Sequence, residues 1–360
     1  MNLRFWISFG VLILLIGAIG YLRQSNSQPA KELRKSIQAA IPKAKFVPTP
    51  TPFPFEELTI PYLRKQTYES KLENLKQIDQ NASYTSYLAS YQSDNLKING
   101  LLLVPAGERP TGGWPAIVFV HGYIPPKQYQ TTTRYGDYVD YLARNGFVVF
   151  KIDLRGNGDS EGTPAGAYYS SGYVSDTLNA YSALQAATPA SSNSAVAINP
   201  KKVGLWGHSM AGNVVMRSWA VKPDIPAVDI WAGAGYTYAD LLKYKINDAS
   251  YTPLASPSAQ QNGRARLRKL YGDPSLDNPF WKQVTPVNYL VDLKGAIQIN
   301  HAVDDDVVTI GYSRDLIAYF DKTSVPHELN AYPSGGHNIS GASFNAAMQK
   351  TVDFYKKYLK

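Results

Sequence analysis

A serine, a cluster of aspartates and a histidine occur in this sequence in an order that can activate a hydroxyl nucleophile. Ser209 lies within Gly207-His208-Ser209-Met210-Ala211, between an apolar strand-like run and a helical pattern. A strand, a sharp turn with serine at its apex and a following helix form a nucleophile elbow. The serine backbone in such an elbow is strained, so its neighbours must be small, and Gly207 meets this requirement. Ala211 stands two residues after the serine, where a second glycine is usual.

A serine hydroxyl becomes a good nucleophile when a neighbouring base takes its proton, and an acid must orient that base. His337 follows Ser209 in the chain and lies in the loop Ser334-Gly335-Gly336-His337-Asn338, between the last predicted strand and the last predicted helix. We therefore predict that His337 is the base. The remaining four of the five histidines either precede the serine or belong to predicted strands: His121, His208, His301 and His327.

Three adjacent carboxylates, Asp304, Asp305 and Asp306, follow a predicted strand over 296–300 and can supply the acid. Only one of them can face the imidazole, because consecutive residues point in different directions. A metal site is the alternative interpretation, but no liganding pattern surrounds these residues. We predict neither a metal nor a cofactor. The oxyanion formed at the attacked carbonyl needs N–H donors, and the backbone amide of Met210, directly after the nucleophile, is one candidate.

The elements around these residues alternate between strand and helix from residue 115 onward. This pattern predicts an α/β fold with a mainly parallel twisted sheet and helices on both faces. The segment 236–290 interrupts the alternation. We interpret it as a cap over the site, because ligands bind at the carboxyl ends of the strands in such sheets, with an ordinary surface excursion as the alternative. Upstream, we predict a helix over 56–78 and an antiparallel hairpin of 82–93 and 96–104.

The first part of the chain has the pattern of a membrane segment. Residues Phe5 to Leu22 form a run of 18 residues without a charge, close to the length that spans a bilayer. We predict an uncleaved N-terminal membrane anchor, a transmembrane helix within 1–22. A cleaved signal peptide, with a possible site at Ala18-Ile19-Gly20, is the alternative. A polar and Thr/Pro-rich linker follows over 23–55, where alternating prolines favour an extended spacer. The catalytic domain then occupies 56–360.

Two signals in the sequence favour opposite orientations of the anchor. Four cations after the span favour a cytoplasmic location of the domain by the positive-inside rule: Arg23, Lys31, Arg34 and Lys35. Anchors that resemble signal peptides instead export the chain that follows, and a Pro-rich spacer suits a domain held above a membrane surface. We therefore expect a membrane-anchored, extracytoplasmic domain.

Composition excludes several classes of function. The formal net charge of the 360 residues is +8, but lysine and arginine are scattered without a basic block, which indicates a solvated surface rather than a nucleic-acid site. There is no cysteine, so disulfides, a thiolate nucleophile and Cys-ligated zinc are excluded. The hydrophobic content of 44% is sufficient for a packed core. The oligomeric state cannot be inferred from these features.

These motifs together resemble the α/β-hydrolase superfamily, and most closely the catalytic domain of the prolyl oligopeptidase family of serine peptidases. The matching segments span about 100–340 and include His121-Gly122-Tyr123, Asp153-Leu154-Arg155-Gly156-Asn157-Gly158-Asp159-Ser160, Asn199-Pro200-Lys201-Lys202-Val203-Gly204, Gly207-His208-Ser209-Met210, Thr285-Pro286-Val287-Asn288-Tyr289, His301 with Asp305 and Val308, and Gly336-His337. The departures from the family pattern are Ala211, Ala302 and Thr309, and none removes a catalytic atom.

The resemblance selects Asp305 as the acid, because the family's acid stands four residues after a histidine and three before a valine. It also implies that the backbone of Tyr123 supplies the second oxyanion donor. The expected activity is that of a membrane-tethered serine hydrolase that cleaves a small ester or peptide through an acyl-enzyme. A prolyl oligopeptidase-like peptidase is the first expectation, and a carboxylesterase or lipase-like acyl hydrolase is the second. A catalytically silent surface binding module is the alternative of another class.

Family members often carry an N-terminal β-propeller that admits only short peptides. Residues 1–80 are too few for such a module. Control of access to the site, if there is any, would therefore come from 236–290.

Overall fold

The computed structural model describes residues 53–164, 166–190, 196–249 and 259–359, together with residues 28 and 31. The predicted anchor over 1–22 and most of the predicted linker lie outside these residues. Within the described ranges, none of the helices combines the length and the apolar character needed to span a bilayer. The chain divides into two units, Met1–Phe53 and Pro54–Lys360, and the fold described below is that of the second unit.

Nine strands in the described part of the chain form one sheet. The strands are β1 Glu73–Gln80, β2 Tyr84–Ser93, β3 Leu96–Pro105, β4 Trp114–Val120, β5 Val148–Ile152, β6 Ile198–His208, β7 Ala227–Trp231, β8 Ala296–Ala302 and β9 His327–Tyr332. Their order in the sheet is β1-β2-β3-β5-β4-β6-β7-β8-β9. The neighbours from β1 to β5 along this order pair antiparallel, and every pair from β5 to β9 is parallel, which confirms the mainly parallel sheet.

Helices cover both faces of this sheet. They are α1 Ile60–Leu63, α2 Gly136–Arg144, α3 Gly172–Ala186, α4 Ala211–Val221, α5 Asp240–Lys243, α6 Ala259–Tyr271, α7 Pro279–Val284, α8 Gly311–Phe320 and α9 Phe344–Tyr358. One face packs against α3, α4 and α8, and the other packs against α2 and α9. Alternate residues of β4 point into these two layers, so the strand must be apolar at consecutive positions.

The predicted hairpin is confirmed. Strands β2 and β3 pair in register from Tyr84 with Pro105 to Ser93 with Leu96. The two residues between the strands, Asp94 and Asn95, have φ angles of +49° and +61°. Two consecutive left-handed residues match the right-handed twist of a two-residue hairpin, and the short polar side chains of Asp and Asn tolerate this conformation.

The predicted helix over 56–78 is wrong. The segment instead contains a 3₁₀ turn at Glu56–Leu58, the four-residue α1, and the edge strand β1 from Glu73 onward. Leu58 and Leu63, two of the apolar positions that suggested a longer helix, are buried and fill the core from these short turns. Pairing of β1 with β2 supplies its backbone hydrogen bonds, and this long-range contact outweighs the local helical spacing.

The segment 236–290 contains α5, α6 and α7 and ends within a 3₁₀ helix at Pro286–Asp292. Its residues 250–258 lie outside the described part. Buried side chains of this segment form an apolar cluster that includes Tyr238, Leu267 and Trp281. Leu58 completes this cluster, and Tyr236 and Val287 of the same segment pack into the main core instead.

Candidate active site

Ser209 follows the last residue of β6 and has a φ angle of +55°, in the left-handed region that non-glycine residues rarely adopt. Its amide donates to the carbonyl of Trp231 at 2.9 Å, which fixes the turn against β7. A Cβ on Gly207 would lie 2.9 Å from the carbonyl oxygen of Ala211, so this position requires glycine. Ala211 begins α4 and is fully buried, so its methyl group fits where a glycine is usual. Strand, strained serine and helix thus form the predicted elbow.

His337 lies in a 3₁₀ turn, Gly336–Asn338, after β9, and its Nδ1 atom is 2.9 Å from Oδ2 of Asp305. Asp305 follows β8, and its other oxygen, Oδ1, accepts from the amides of Val307 and Val308 at 2.9 and 2.8 Å. Burial by itself would raise the pKa of Asp305, but hydrogen bonds from His301 and His337 outweigh it and hold this pKa well below its usual range. The structure therefore places an ionised carboxylate against the imidazole.

The two neighbouring aspartates make no hydrogen bond with the imidazole of His337. The carboxylate of Asp304 accepts from the amides of Gly335 and Gly336 at 3.2 and 2.9 Å, and so holds the loop that carries His337. The backbone carbonyl of Asp306 accepts from the side-chain amide of Asn247 at 3.3 Å. Across the described ranges, no group of three potential metal ligands converges.

His301 also contacts the carboxylate of Asp305, and this role was not predicted from the sequence. Its Nε2 atom lies 2.7 Å from the carbonyl oxygen of Val308 and 3.2 Å from Oδ2 of Asp305. Since a carbonyl only accepts, Nε2 carries the proton. The hydroxyl of Ser313 lies 2.7 Å from Nδ1 and holds the other edge of the ring. The four-residue spacing of His301 and Asp305 was the signal available in the sequence.

Ser209 and His337 line one cavity of about 620 Å³. Four aromatic side chains contribute to its wall: Tyr123, Tyr135, Tyr138 and Phe344. Three charged side chains also line it: Arg134, Asp137 and Asp248. Asp248 is the one described residue of the predicted cap that reaches this cavity. Among the described residues the hydroxyl of Ser209 makes no hydrogen bond, and such contacts are often looser before substrate binds.

The predicted oxyanion donors flank the serine. Tyr123 lines the same cavity as Ser209, and a Cβ on the preceding Gly122 would lie 3.1 Å from Cβ of Ser209. The amide of Gly122 donates to the hydroxyl of Tyr135 at 2.9 Å and is therefore already used. The amide of Met210, directly before α4, makes no hydrogen bond within the described part of the chain, as expected for the first N–H groups of a helix.

Buried charges anchor the loop that carries Tyr123. Nζ of Lys151 donates to the carbonyls of Thr131 and Arg134 at 2.6 and 2.7 Å. Asp153 accepts from the hydroxyl of Thr131 at 2.6 Å. Burial lowers the pKa of Lys151 to about 8 and raises the pKa of Asp153 to about 6. Lys151 and Asp153 contact the loop after β4 and do not line the cavity, so they stabilise the site from outside.

The sheet is mainly parallel and carries a nucleophile elbow after β6, an aspartate after β8 and a histidine after β9. This arrangement defines a class of protein. The chain has an α/β-hydrolase fold with the site arrangement of a serine hydrolase. The model of the family described as serine aminopeptidase, S33, matches residues 115–250, which is less than half of the chain.

Solved structures of similar fold include both esterases and peptidases. Acetyl xylan esterase 1 from Thermoanaerobacterium sp. is 18% identical with a TM-score of 0.55, over 85% of this chain and 95% of that one. Est1E from Butyrivibrio proteoclasticus, with ferulic acid bound, is 15% identical with a TM-score of 0.52, and the alignment covers 74% of this chain and 98% of that one. The acylaminoacyl peptidase of Pyrococcus horikoshii is 18% identical with a TM-score of 0.58, and the alignment covers 78% of this chain and 43% of that one. At these identities the likeness shows the fold.

Proposed function

We propose that this protein hydrolyses esters or amides through a covalent acyl-enzyme. The hydroxyl of Ser209 attacks the carbonyl carbon while His337 takes its proton and then gives it to the leaving group. Asp305 orients the imidazole and stabilises its charged form. The amides of Tyr123 and Met210 bind the oxyanion, and water attacks the acyl-enzyme to release the acid. The observation that carries the proposal is the hydrogen bond between His337 and Asp305 beside the cavity that Ser209 lines.

Small esters are the substrate class that we favour. The chain aligns with nearly the whole of the two esterases, 95% and 98%, but with only 43% of the acylaminoacyl peptidase. A cavity of about 620 Å³ with an aromatic wall suits a small organic ester. Short peptides are the second candidate, which the serine aminopeptidase family model and the prolyl oligopeptidase-like motifs favour.

The test is covalent labelling of the full-length protein with a fluorophosphonate probe, followed by a substrate panel. We expect labelling of the wild type, its loss in Ser209→Ala, and its retention in Ser340→Ala, a matched control because Ser340 lines the same cavity. p-Nitrophenyl esters and aminoacyl or prolyl anilides then separate the two substrate classes. A folded wild type that resists the probe and turns over neither class would contradict the proposal and favour a silent binding module.

We also propose that residues 1–22 anchor the protein in a membrane, that 23–55 act as a spacer, and that 56–360 form the catalytic domain outside the cytoplasm, with 236–290 as its cap. The uncharged run from Phe5 to Leu22 supports the anchor. After fractionation of cells that express the full chain, an anchored protein stays with the membranes through an alkaline carbonate wash. A shortened soluble protein would indicate a cleaved signal peptide, and protease protection of intact cells or vesicles reports the orientation.

A further inference from the structure

The hydroxyl of Tyr135 connects two parts of the site. Tyr135 directly precedes α2 with a φ angle of +60°, and its Oη lies 2.9 Å from the amide nitrogen of Gly122 and 2.8 Å from Nδ1 of His208. The other ring nitrogen of His208, Nε2, lies 2.9 Å from the backbone carbonyl oxygen of His337. One continuous chain of hydrogen bonds thus runs from the oxyanion loop, past the elbow, to the loop of the base.

Each bond in this chain has a fixed direction. The carbonyl of His337 only accepts, so Nε2 of His208 must carry a proton. Burial, reinforced by the neighbouring His337, lowers the pKa of His208 to about 3, so the ring is neutral and Nδ1 has no proton. The hydroxyl of Tyr135 therefore donates to Nδ1. The amide of Gly122 can only donate, so the same hydroxyl accepts from it.

Packing holds the two rings of this chain in place. Tyr135 contacts the ring of Phe119 edge-to-face, with 5.4 Å between centroids. The ring of His208 lies 4.6 Å from that of His337. One turn further along α2, the hydroxyl of Tyr138 donates to the carbonyl of Asn338 at 2.7 Å, so the start of this helix also contacts the loop of the base directly. Such supporting contacts determine how precisely catalytic groups are held.

We propose that Tyr135 and His208 are positioning residues that couple the oxyanion loop to the loop of His337. This inference rests on the proposed function. His208 directly precedes Ser209 and bonds the backbone carbonyl of His337. The coupling therefore fixes the position of the backbone of His337 relative to the nucleophile. It also occupies the amide of Gly122, and so holds the loop that carries Tyr123. Neither positioning residue exchanges a proton with the substrate.

The first test compares Tyr135→Phe with Tyr141→Phe in the full-length protein. Tyr141 lies on the same helix, and its exposed hydroxyl bonds Gln349 at 3.2 Å, away from the cavity. We expect Tyr135→Phe to lower kcat for a small p-nitrophenyl ester by about 10- to 100-fold with KM within about threefold, since small displacements of catalytic groups have effects of this size. Tyr141→Phe should retain the wild-type kcat.

The second test separates the two halves of the chain at His208. In His208→Gln the side-chain nitrogen reaches the place of Nε2 and keeps the bond to the carbonyl of His337. In His208→Asn the side-chain oxygen reaches the place of Nδ1 and keeps the bond from Tyr135. We expect both variants to lower kcat, and we expect Tyr135→Phe combined with His208→Gln to be no slower than the slower single variant, because both changes break the same bond.

The outcomes distinguish the two proposals. If the wild type is labelled by the fluorophosphonate and Tyr135→Phe keeps its kcat, the coupling is wrong while the proposed function stands. If Tyr135→Phe folds poorly, the two His208 variants decide, and wild-type kcat in both would overturn the coupling. An unlabelled, inactive wild type would overturn the proposed function and the coupling with it.

Discussion

Nδ1 of His337 lies 2.9 Å from Oδ2 of Asp305, although 32 residues separate them in the chain. The contact exists because β8 and β9 pair in parallel, so that their carboxyl ends lie side by side and the loops that follow them meet. Asp304, one residue earlier, bonds the backbone of the same loop instead of the ring. The two adjacent carboxylates therefore contribute to the site in different ways, and this difference can be tested.

Asp305→Asn should lower kcat by a factor on the order of 10³ to 10⁴, because an amide presents a donor to Nδ1 and disfavours the tautomer that can accept the serine proton. Asp304→Asn should lose no more than about tenfold, because its oxygen can still accept from the amide of Gly336. Initial rates on one activated ester, for variants with matched melting temperatures, provide the comparison. A larger loss in Asp304→Asn than in Asp305→Asn would contradict the assignment of the acid.

His301 should affect the rate through Asp305 alone. His301→Ala removes the donor near Oδ2 of Asp305, and we expect kcat to fall by roughly 10-fold, the order of a lost hydrogen bond to a charged group. His301→Gln should recover most of this loss, because its amide nitrogen can occupy the place of Nε2. The measurement is kcat and KM for both variants beside their thermal unfolding. Equal rates for the alanine and glutamine variants at equal stability would show that the contact does not position the acid.

The elbow requires glycine at position 207, and Gly263, within α6, provides the control substitution. Gly207→Ala would place a Cβ 2.9 Å from the carbonyl oxygen of Ala211 and 3.0 Å from a methyl carbon of Val215. We expect it to destabilise the protein by about 1–3 kcal/mol, as overpacking does, and to reduce activity by displacing Ser209. At Gly263, within α6, a Cβ would meet no described atom within 4 Å. Gly263→Ala should therefore be neutral or stabilise by up to about 1 kcal/mol. Urea unfolding and activity of both variants test the contrast.

Asp229 should make stability fall as pH rises from about 4 to about 7. It is buried on β7, and burial raises its pKa from 3.8 to about 7 despite hydrogen bonds from Thr351 and Trp231. In this range the unfolded chain ionises the carboxyl while the folded chain keeps it protonated, so the folded state loses stability as pH rises. The slope from one such group is at most about 1.4 kcal/mol per pH unit.

The measurement is the free energy of unfolding of the wild type and of Asp229→Asn at several pH values. The difference between the two curves isolates Asp229 from other buried titrating groups such as Asp153 and His121. We expect the wild type to lose stability relative to the asparagine variant between pH 4 and 7, and the difference to level off above that range. Parallel curves would indicate that Asp229 keeps an ordinary pKa.

Local patterns predicted much of this fold. The strand, turn and helix around Ser209, the Asp94-Asn95 hairpin turn and the alternation from β4 to α9 all depend on residues close together in the chain. Their strain, turn geometry and apolar spacing are therefore present in short stretches of sequence. The helix prediction is wrong over residues 73–78 because their strand conformation depends on pairing with β2, a distant partner, and not on their own spacing.

The sequence by itself determined which residue types could perform the chemistry and in which loops they lie: the elbow serine, three adjacent aspartates and a histidine in a glycine-rich loop. The family resemblance selected Asp305, and the tertiary structure shows its contact with His337. Only the tertiary structure decided that Asp304 holds the loop, that His301 contacts the acid, and that Tyr135 and His208 join the oxyanion loop to the base. These contacts join segments that are far apart in the chain. The order of strands in the sheet determines which loops meet, and the hydrophobic pattern of each strand does not encode that order.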